Sequence, residues 1–230
     1  EGLNVVERAR VTPGLSTLAT AVAEGDLVTT LEGSGPFTVF APTDAAFGAL
    51  DEAALGRLLA EQNQALLQKV LTYHVLSGEV RSTDLVDDAD VSTVEGSSVR
   101  IDLDAGATVN GVEIVTTDIQ VENGVIHVID AVLLQHLDIV DVATLNGFST
   151  LVSAVQTAGL ESALRDGSAS LTVFAPTDAA FEAIAPVPSD PQVLEPILLY
   201  HVVGQAALST ELSDGQMLTT LEGGTLTVQL

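Results

Sequence analysis

Four histidines are the side chains of this sequence best suited to metal binding or acid–base catalysis: His74, His127, His136 and His201. No two of them fall at i, i+4 or His-x-His spacing, so the local pattern of a zinc site is missing. Serine and aspartate are abundant, but no Gly-x-Ser-x-Gly elbow accompanies them and nothing marks an oxyanion hole. We therefore expect a protein that is not an enzyme and carries no cofactor.

A cluster of aspartates suggests a different metal. Asp84, Asp87, Asp88 and Asp90 lie within seven residues of each other. Calcium prefers oxygen ligands, and weak extracellular calcium sites are built from such carboxylates. A dense acidic segment is also typical of a solvated loop, and both interpretations stay open on the sequence alone.

Acidic residues dominate the charge of the chain, with 32 Asp and Glu against 7 Lys and Arg and a net charge of −25. Nucleic acid and anionic lipid surfaces are therefore not expected partners, because both need clustered basic residues. The longest apolar run, Val125 to Leu134, is interrupted by His127 and Asp130 and is shorter than the roughly 20 residues of a membrane helix. We expect no membrane insertion. The charge suits either a halophilic protein, in which salt screens self-repulsion, or an ordinary acidic surface.

The absence of cysteine excludes disulfides, Cys-ligated metal sites and thiol nucleophiles. With 47% hydrophobic residues the chain is too apolar to be disordered. It begins at Glu1 without a methionine, which fits a processed mature chain or a fragment and is consistent with secretion.

A tandem duplication organises the sequence. The ten residues Thr38–Phe47 recur letter for letter as Thr172–Phe181. A second block, Leu71–Val75, recurs as Leu198–Val202, and each version contains a Tyr-His pair. Repeated blocks in the same order predict two copies of one domain.

The two copies differ in length. We predict a complete first domain at residues 1–136 and a second at residues 137–230, which lacks any equivalent of Asp104 through Leu133 and is about thirty residues shorter. In the first copy that stretch has the pattern of strands, with type I′ turns at Asn110-Gly111 and Asn123-Gly124. The second copy should therefore expose a strand edge, which its own missing tail or a neighbouring molecule would cover.

Helices are predicted early in each copy and strands late. Residues Thr17 to Val28 carry apolar side chains at helical spacing, and Asp51 and Asn63 stand where two short helices would begin. Val99 to Leu103 alternates apolar and polar residues as a half-buried strand does. This order favours the α+β class.

The repeated decapeptide has the pattern of a strand-to-helix corner. Thr38 to Ala41 alternates as a strand, and a proline then ends the ladder. Thr43 is placed to cap the following helix, with Asp44 in the first turn, where the helix dipole favours a carboxylate. Thr177 and Asp178 take the same places in the second copy. The motif is thus expected to serve architecture rather than chemistry.

These blocks resemble the fasciclin-like (FAS1) domain family. The decapeptide is similar to its first block, and Tyr73-His74 and Tyr200-His201 match its Tyr-His pair. Asn123–Leu133 resembles its second conserved block and has no match in the second copy. The resemblance implies a FAS1 fold, a wedge of β-sheets with packed α-helices in tandem, found in secreted or surface proteins that serve adhesion or matrix contact.

The resemblance also nominates four adhesion residues, because the Tyr-His region has been tied to adhesion in animal relatives: Tyr73, His74, Tyr200 and His201. Their apolar neighbours favour a different role, in which a buried and hydrogen-bonded pair joins helix to sheet. Both hypotheses stay open.

Three functions are compatible with these features. The first is a non-enzymatic adhesion module that is extracellular, on the cell surface or periplasmic, and binds a cell-surface or matrix protein, a polysaccharide or itself. The second is a carrier of a small hydrophobic ligand held between helices and sheet, as in some relatives. The third is a structural subunit whose incomplete second domain accepts a strand from the next chain.

Overall fold

Helices and strands are combined in two separate units of the chain. The computed structural model describes residues 2–167, 170–184 and 186–230. These residues fall into two compact units, Glu1–His136 and Leu137–Leu230. Both units contain short helices and sheets, so the predicted α+β class is confirmed.

Short helices open each unit and also follow the first strand of each unit. In the first unit the helices are α1 (Val5–Val11), α2 (Ser16–Glu24), α3 (Val28–Leu31), α4 (Asp44–Gly48), α5 (Glu52–Leu58) and α6 (Gln64–Tyr73), with 3₁₀ turns at Glu61–Asn63 and Ser82–Asp84. In the second unit they are α7 (Ile139–Leu145), α8 (Ser149–Thr157), α9 (Glu161–Leu164), α10 (Asp178–Glu182) and α11 (Pro191–Tyr200).

Two details of the predicted helices differ in the structure. The helix expected over Thr17 to Val28 ends at Glu24, because Gly25 and Asp26 turn the chain and Asp26 has a φ of 54°. Asp51 caps α5 as predicted, accepting from two backbone N–H groups. Asn63 stands at the start of α6 but forms no capping bond, since its side chain donates to the carbonyl of Arg57.

The first unit is built on a seven-stranded sheet with the order β2-β1-β7-β6-β5-β4-β3. Strand β1 lies between β2, which is antiparallel to it, and β7, which is parallel to it. Every residue of β7 is buried, so both faces of the sheet are covered at that strand. The strands are β1 (Phe37–Pro42), β2 (Val75–Ser77), β3 (Asp90–Ser92), β4 (Ser98–Asp102), β5 (Thr108–Val109), β6 (Val112–Val121) and β7 (Gly124–Ile129).

The two predicted turns of the first unit have different outcomes. Asn110 and Gly111 have φ values of 51° and 77°, as a type I′ turn requires. At the second turn Gly124 is already paired with Val121, so the turn residues are Glu122 and Asn123. The predicted Asn-Gly turn is wrong there, because Gly124 has a φ of 154° and is the first residue of β7. The side chain of Asn123 bonds to other segments. It accepts from the N–H of Val5 at 3.0 Å and donates to two carbonyls before β1.

The described residues of the second unit form smaller sheets. Strand β8 (Thr172–Val173) pairs antiparallel with β9 (Val202–Val203), as β1 pairs with β2. Strand β10 (Met217–Thr219) pairs with β11 (Thr225–Thr227), as β3 pairs with β4. Within the part of the second unit that the structure describes, no strand takes the places of β5, β6 and β7.

The second unit contains one basic residue, Arg165. Its guanidinium lies 2.7 Å from Asp138, 2.6 Å from Asp141 and 3.0 Å from Glu161. Although burial opposes it, hydrogen bonding to these carboxylates raises the pKa of Arg165. The ion pairs join the start of α7 to α9.

Candidate binding site

The repeated decapeptide leads from β1 into α4, and it also bonds α4 to the start of α2. The hydroxyl of Thr43 accepts from the N–H of Ala46 at 3.0 Å and caps α4. Asp44 lies in the first turn of α4, but its carboxylate turns away and accepts from the N–H of Thr17 at 2.7 Å and the hydroxyl of Ser16 at 2.8 Å. Asp44 therefore caps α2, whose own N-cap residue makes no side-chain bond. The prediction that Asp44 lies in the first turn of α4 is confirmed. Its bonds to α2 could not be predicted, because local spacing carries no signal for a partner that is distant in sequence.

The second unit repeats this arrangement. Thr177 accepts from the N–H of Ala180 at 3.2 Å, and Asp178 accepts from the N–H of Thr150 at 2.9 Å and the hydroxyl of Ser149 at 2.5 Å. The bonds from Ser149 and Thr150 hold the pKa of Asp178 below its usual 3.8. The pKa of Asp44 is also lowered, because the bonds from Thr17 and Ser16 outweigh a desolvation effect that raises it.

The Tyr-His pair of the first unit is buried. His74 is 2% exposed, and its Nδ1 lies 2.8 Å from the carbonyl of Val70 while its Nε2 accepts from the N–H of Leu133 at 2.9 Å. Because Nδ1 must donate and Nε2 must accept, the ring is neutral. Burial lowers the pKa of His74 to about 4, with a smaller contribution from His136. Tyr73 donates to the carbonyl of Ser98 at 3.0 Å and accepts from Asn110 at 2.8 Å.

The same pair in the second unit is open to solvent. Tyr200 is 38% exposed and donates to the carbonyl of Thr225 at 3.0 Å. His201 is half-buried, and its Nδ1 lies 2.8 Å from the carbonyl of Ile197, matching the bond from His74 to Val70. No described residue donates to Nε2 of His201. Of the four nominated adhesion residues, only Tyr200 and His201 are therefore accessible to a partner in this structure.

The remaining histidines have structural contacts. His127 is fully buried in β7, with Nε2 2.9 Å from the carbonyl of Val80 and Nδ1 accepting from the N–H of Asp118 at 3.4 Å. The ring of His136 stacks on Tyr73 with the centroids 3.8 Å apart. Across the described ranges, no three His, Asp or Glu side chains form a group that could hold a metal ion.

The aspartates of the cluster contact backbone N–H groups and one arginine. Asp87 accepts from the N–H of Leu103 at 2.8 Å, and Asp84 accepts from the N–H of Arg81 at 3.3 Å. Asp88 and Asp90 both face Arg100, at 2.7 and 3.6 Å. The four carboxylates thus serve local contacts, two of them with the same arginine.

An apolar cavity lies beside the Tyr-His pair of the second unit. It has a volume of about 470 Å³, and its lining includes Val140, Leu151, Val173 and His201. A shallower depression of about 290 Å³ adjoins it and shares Ile139, Ala143, Leu151 and Val173. We call the two together the open groove.

The corresponding position in the first unit is almost completely filled by side chains. There the counterparts Val6, Leu18, Val39 and His74 line a space of only about 20 Å³. Strand β7 accounts for the difference, since it packs along one edge of β1 in the first unit, and no described strand packs along the corresponding edge of β8, whose other edge pairs with β9. Sequence reasoning anticipated the exposed strand edge but not the cavity behind it, because a cavity is a property of packing between distant segments.

A family model described as the fasciclin domain matches residues 13–135 and 146–230. The chain belongs to the fasciclin domain family. Each match falls within one of the two structural units, so the chain carries fasciclin domains in tandem, as the resemblance implied.

Individual relatives of this fasciclin chain come from bacteria and animals. The Synechocystis protein sll1735 is 44% identical over 131 residues, covering 57% of this chain and 97% of that protein. Human periostin is 32% identical over 232 residues, covering 99% of this chain and 27% of periostin. A solved FAS1 domain pair from the insect cell adhesion molecule fasciclin I is similar with a TM-score of 0.44 and 17% identity, covering 94% of this chain and 83% of that chain.

Among the described helices, none is long and apolar enough to cross a membrane.

Proposed function

We propose that this fasciclin chain is a non-enzymatic module for adhesion or matrix contact, acting outside the cell, on its surface or in the periplasm. Its partner is a cell-surface or matrix protein, a polysaccharide or a second copy of the chain. Residues 1–136 and 137–230 are proposed as its two domains. Membership of the fasciclin family and the adhesion role implied by that resemblance support this function.

One structural observation carries the proposal. The side chains that repeat in both units are used for capping and packing: Thr43 and Thr177 cap helices, and Asp44 and Asp178 tie two helices together. Because these repeated polar side chains are already hydrogen-bonded within the fold, they are not available as reacting groups, and the surface of the domain is left for contacts with a partner. Binding is the function that such surfaces support.

The contact residues proposed for this function are Tyr200 and His201. They occupy the positions nominated for adhesion and are exposed or half-buried, whereas Tyr73 and His74 are buried. Tyrosine is common at interfaces because it combines a large apolar ring with a polar end. Tyr73 and His74 are proposed to act on binding only through the stability of the first unit.

A binding assay with the full chain tests this function. Beads coated with the chain are mixed with each other and with surfaces carrying individual matrix proteins or polysaccharides, in the presence and absence of excess soluble chain. We expect attachment that the soluble chain inhibits and that Tyr200→Ala with His201→Ala weakens. Attachment that heat-unfolded chain supports equally well, or none on any surface or between beads, would contradict the proposal.

The open groove favours a second candidate function, the carriage of a small hydrophobic ligand. The cavity within it has a volume of about 470 Å³, which lies within the range of roughly 300–1,000 Å³ that is usual for small-molecule sites. Organic extraction of the purified chain followed by mass spectrometry tests this candidate. A stoichiometric lipid or pigment would support it, and an extract without one would oppose it.

A further inference from the structure

Three Asn-Gly pairs occur in the chain, at Asn110-Gly111, Asn123-Gly124 and Asn146-Gly147. This dipeptide is chemically labile, because glycine has no side chain to shield its backbone nitrogen from the amide carbon of the preceding asparagine. The attack of that nitrogen needs an asparagine side chain that can rotate towards it and a backbone that can open locally. All three pairs meet the sequence requirement, so the fold decides which of them reacts.

The fold holds Asn123 most firmly. This residue is 8% exposed. Its Oδ1 accepts from the N–H of Val5 at 3.0 Å, and its Nδ2 donates to the carbonyls of Leu31 and Gly33, both at 2.8 Å. Gly124 belongs to the buried strand β7. A reaction at this pair would therefore require the end of the sheet to open.

The amide of Asn110 is held through both of its polar atoms. Oδ1 accepts from the N–H of Arg100 at 2.8 Å, and Nδ2 donates to the hydroxyl of Tyr73 at 2.8 Å. The backbone N–H of Asn110 also donates to the carbonyl of Arg100 at 2.8 Å. These bonds join the turn to β4 and α6. The amide cannot rotate towards Gly111 without breaking both of its side-chain bonds.

Asn146 is the least constrained of the three asparagines. It is exposed and directly follows the last residue of α7. Its Nδ2 donates to the carbonyl of Val142 at 2.8 Å, and its Oδ1 has no donor among the residues that the structure describes. The N–H of Gly147 donates to the carbonyl of Thr144 at 3.2 Å, at the end of a helix, where fraying is common. Opening this pair costs one side-chain bond and one terminal backbone bond.

The loop that contains Asn146 is exposed in both units. Gly147 aligns with Gly14 of the first unit, and the two glycines have φ values of 80° and 85°. Pro13, the counterpart of Asn146, is exposed as well, although β7 is present in that unit. The accessibility of Asn146 is therefore a property of the loop and not of the open groove.

We infer that Asn146 is a site of spontaneous deamidation. In this reaction the backbone nitrogen of Gly147 gives its proton to hydroxide and attacks Cγ of Asn146. A new C–N bond forms, the side-chain nitrogen takes a proton from water and leaves as ammonia, and a five-membered succinimide ring results. Water then opens the ring at either carbonyl, which leaves aspartate or isoaspartate at position 146. The inference does not rest on the proposed adhesion function, because the reaction needs no partner.

The product changes the bond that ends α7. A carboxylate has no hydrogen to donate to the carbonyl of Val142. It also places a negative charge at the C-terminal end of the helix, where the helix dipole disfavours one, in a chain whose net charge is already −25. Deamidation should therefore loosen the last turn of α7.

Mass spectrometry of the full chain tests the site. The folded chain and the same chain in guanidinium chloride are incubated at pH 8, and samples taken over time are digested and analysed for the mass gain of about 1 Da at each asparagine. In guanidinium chloride we expect the three pairs to react at similar rates, because their local sequences are alike. In the folded chain Asn146 should react at least about tenfold faster than Asn110 or Asn123.

Two variants assign the acidic product in isoelectric focusing. Asn146→Gln should remove the early acidic species, because the longer side chain does not form the five-membered ring. Asn63→Gln is the matched control, since Asn63 is followed by glutamine rather than glycine, and it should leave the acidic species in place. The inference is overturned if Asn110 or Asn123 reacts as fast as Asn146 in the folded chain. It is also overturned if folding slows Asn146 as strongly as the other two, or if the early acidic species persists in Asn146→Gln.

Asn146→Asp tests the effect on the helix, because it reproduces the charge of one product. Amide hydrogen exchange should be at least about threefold faster in the last turn of α7 and unchanged in α1 of the first unit. Exchange in α7 that equals that of the unmodified chain would overturn the inferred loosening of the helix.

Discussion

Nε2 of His74 accepts a hydrogen bond of 2.9 Å from the backbone N–H of Leu133. This bond joins the end of α6 to the segment that follows β7, so the Tyr-His pair of the first unit has a structural role. In the second unit the equivalent histidine faces the open groove. One sequence block thus has two roles, which depend on whether a strand lies beside it.

Replacing the two histidines separately should show these roles. His74→Ala removes the partners of the Val70 carbonyl and the Leu133 N–H inside the core, and we expect a loss of about 3 kcal/mol in the free energy of unfolding. His201→Ala removes a single bond at a half-buried position and should cost less than about 1 kcal/mol. Urea unfolding followed by NMR resolves the two units. Equal losses would contradict this account.

The buried His74 predicts a pH dependence. Its pKa is about 4 in the folded chain, whereas the ordinary value is 6.5. As the pH falls from 6.5 towards 4, the unfolded state binds a proton that the folded state does not, so the free energy of unfolding decreases by up to about 3 kcal/mol.

Unfolding measured between pH 7 and pH 4 checks this contribution. The His74→Gln variant should lack that part of the slope, because glutamine does not titrate. Identical slopes for the wild-type chain and the variant would show that His74 is not the group responsible.

The carboxylate of Asp44 should stabilise α2 from a distance. Asp44→Ala leaves the N–H of Thr17 without its acceptor, and we expect a loss of about 1–2 kcal/mol. Since the pKa of Asp44 is lowered, the stabilisation is present above the usual pKa of 3.8 and is lost as the pH falls through the folded value.

Amide hydrogen exchange distinguishes this cap from a local one. Asp44→Ala should accelerate exchange at the start of α2, whereas Asp51→Ala, the matched control, should act on α5, which Asp51 caps. Faster exchange confined to α4 in the Asp44 variant would mean that this carboxylate serves its own helix instead.

Gly124 should tolerate no side chain. Gly124→Ala forces a Cβ against the carbonyl of Phe37, and we expect a loss of about 4 kcal/mol or failure to fold. Gly106→Ala is the matched control, because Gly106 also has a positive φ of 127° but nothing within 4 Å of its Cβ position. Thermal unfolding of both variants separates the destabilisation caused by the steric clash from that caused by placing alanine at a positive φ. A similar melting temperature for the two would be evidence against the close approach.

The net charge of −25 predicts a response to salt. If the chain is halophilic, its melting temperature should rise between 0.1 and 2 M NaCl, because screening reduces self-repulsion. Sucrose at matched osmolality is the control for effects of solute exclusion. A melting temperature that stays constant or falls in NaCl would leave an ordinary acidic surface as the explanation.

Local and repeated features of this chain could be predicted from its sequence. The α+β class, the caps at Thr43 and Asp51 and the turn at Asn110 follow from residue type and spacing. The helix capped by Asp44, the three bonds of the Asn123 side chain and the cavity beside Val173 could not be predicted. Each depends on segments that are distant in sequence and meet only when the sheet forms.

Hydrogen exchange in the repeated decapeptide tests the central claim most directly. Thr38–Phe47 and Thr172–Phe181 have the same sequence and therefore nearly the same intrinsic exchange rates, so NMR of the full chain compares them without a variant. We predict that amides of the first copy, held between β2 and β7, exchange at least about 100-fold more slowly than those of the second. Equal protection in the two copies would contradict an open groove beside β8.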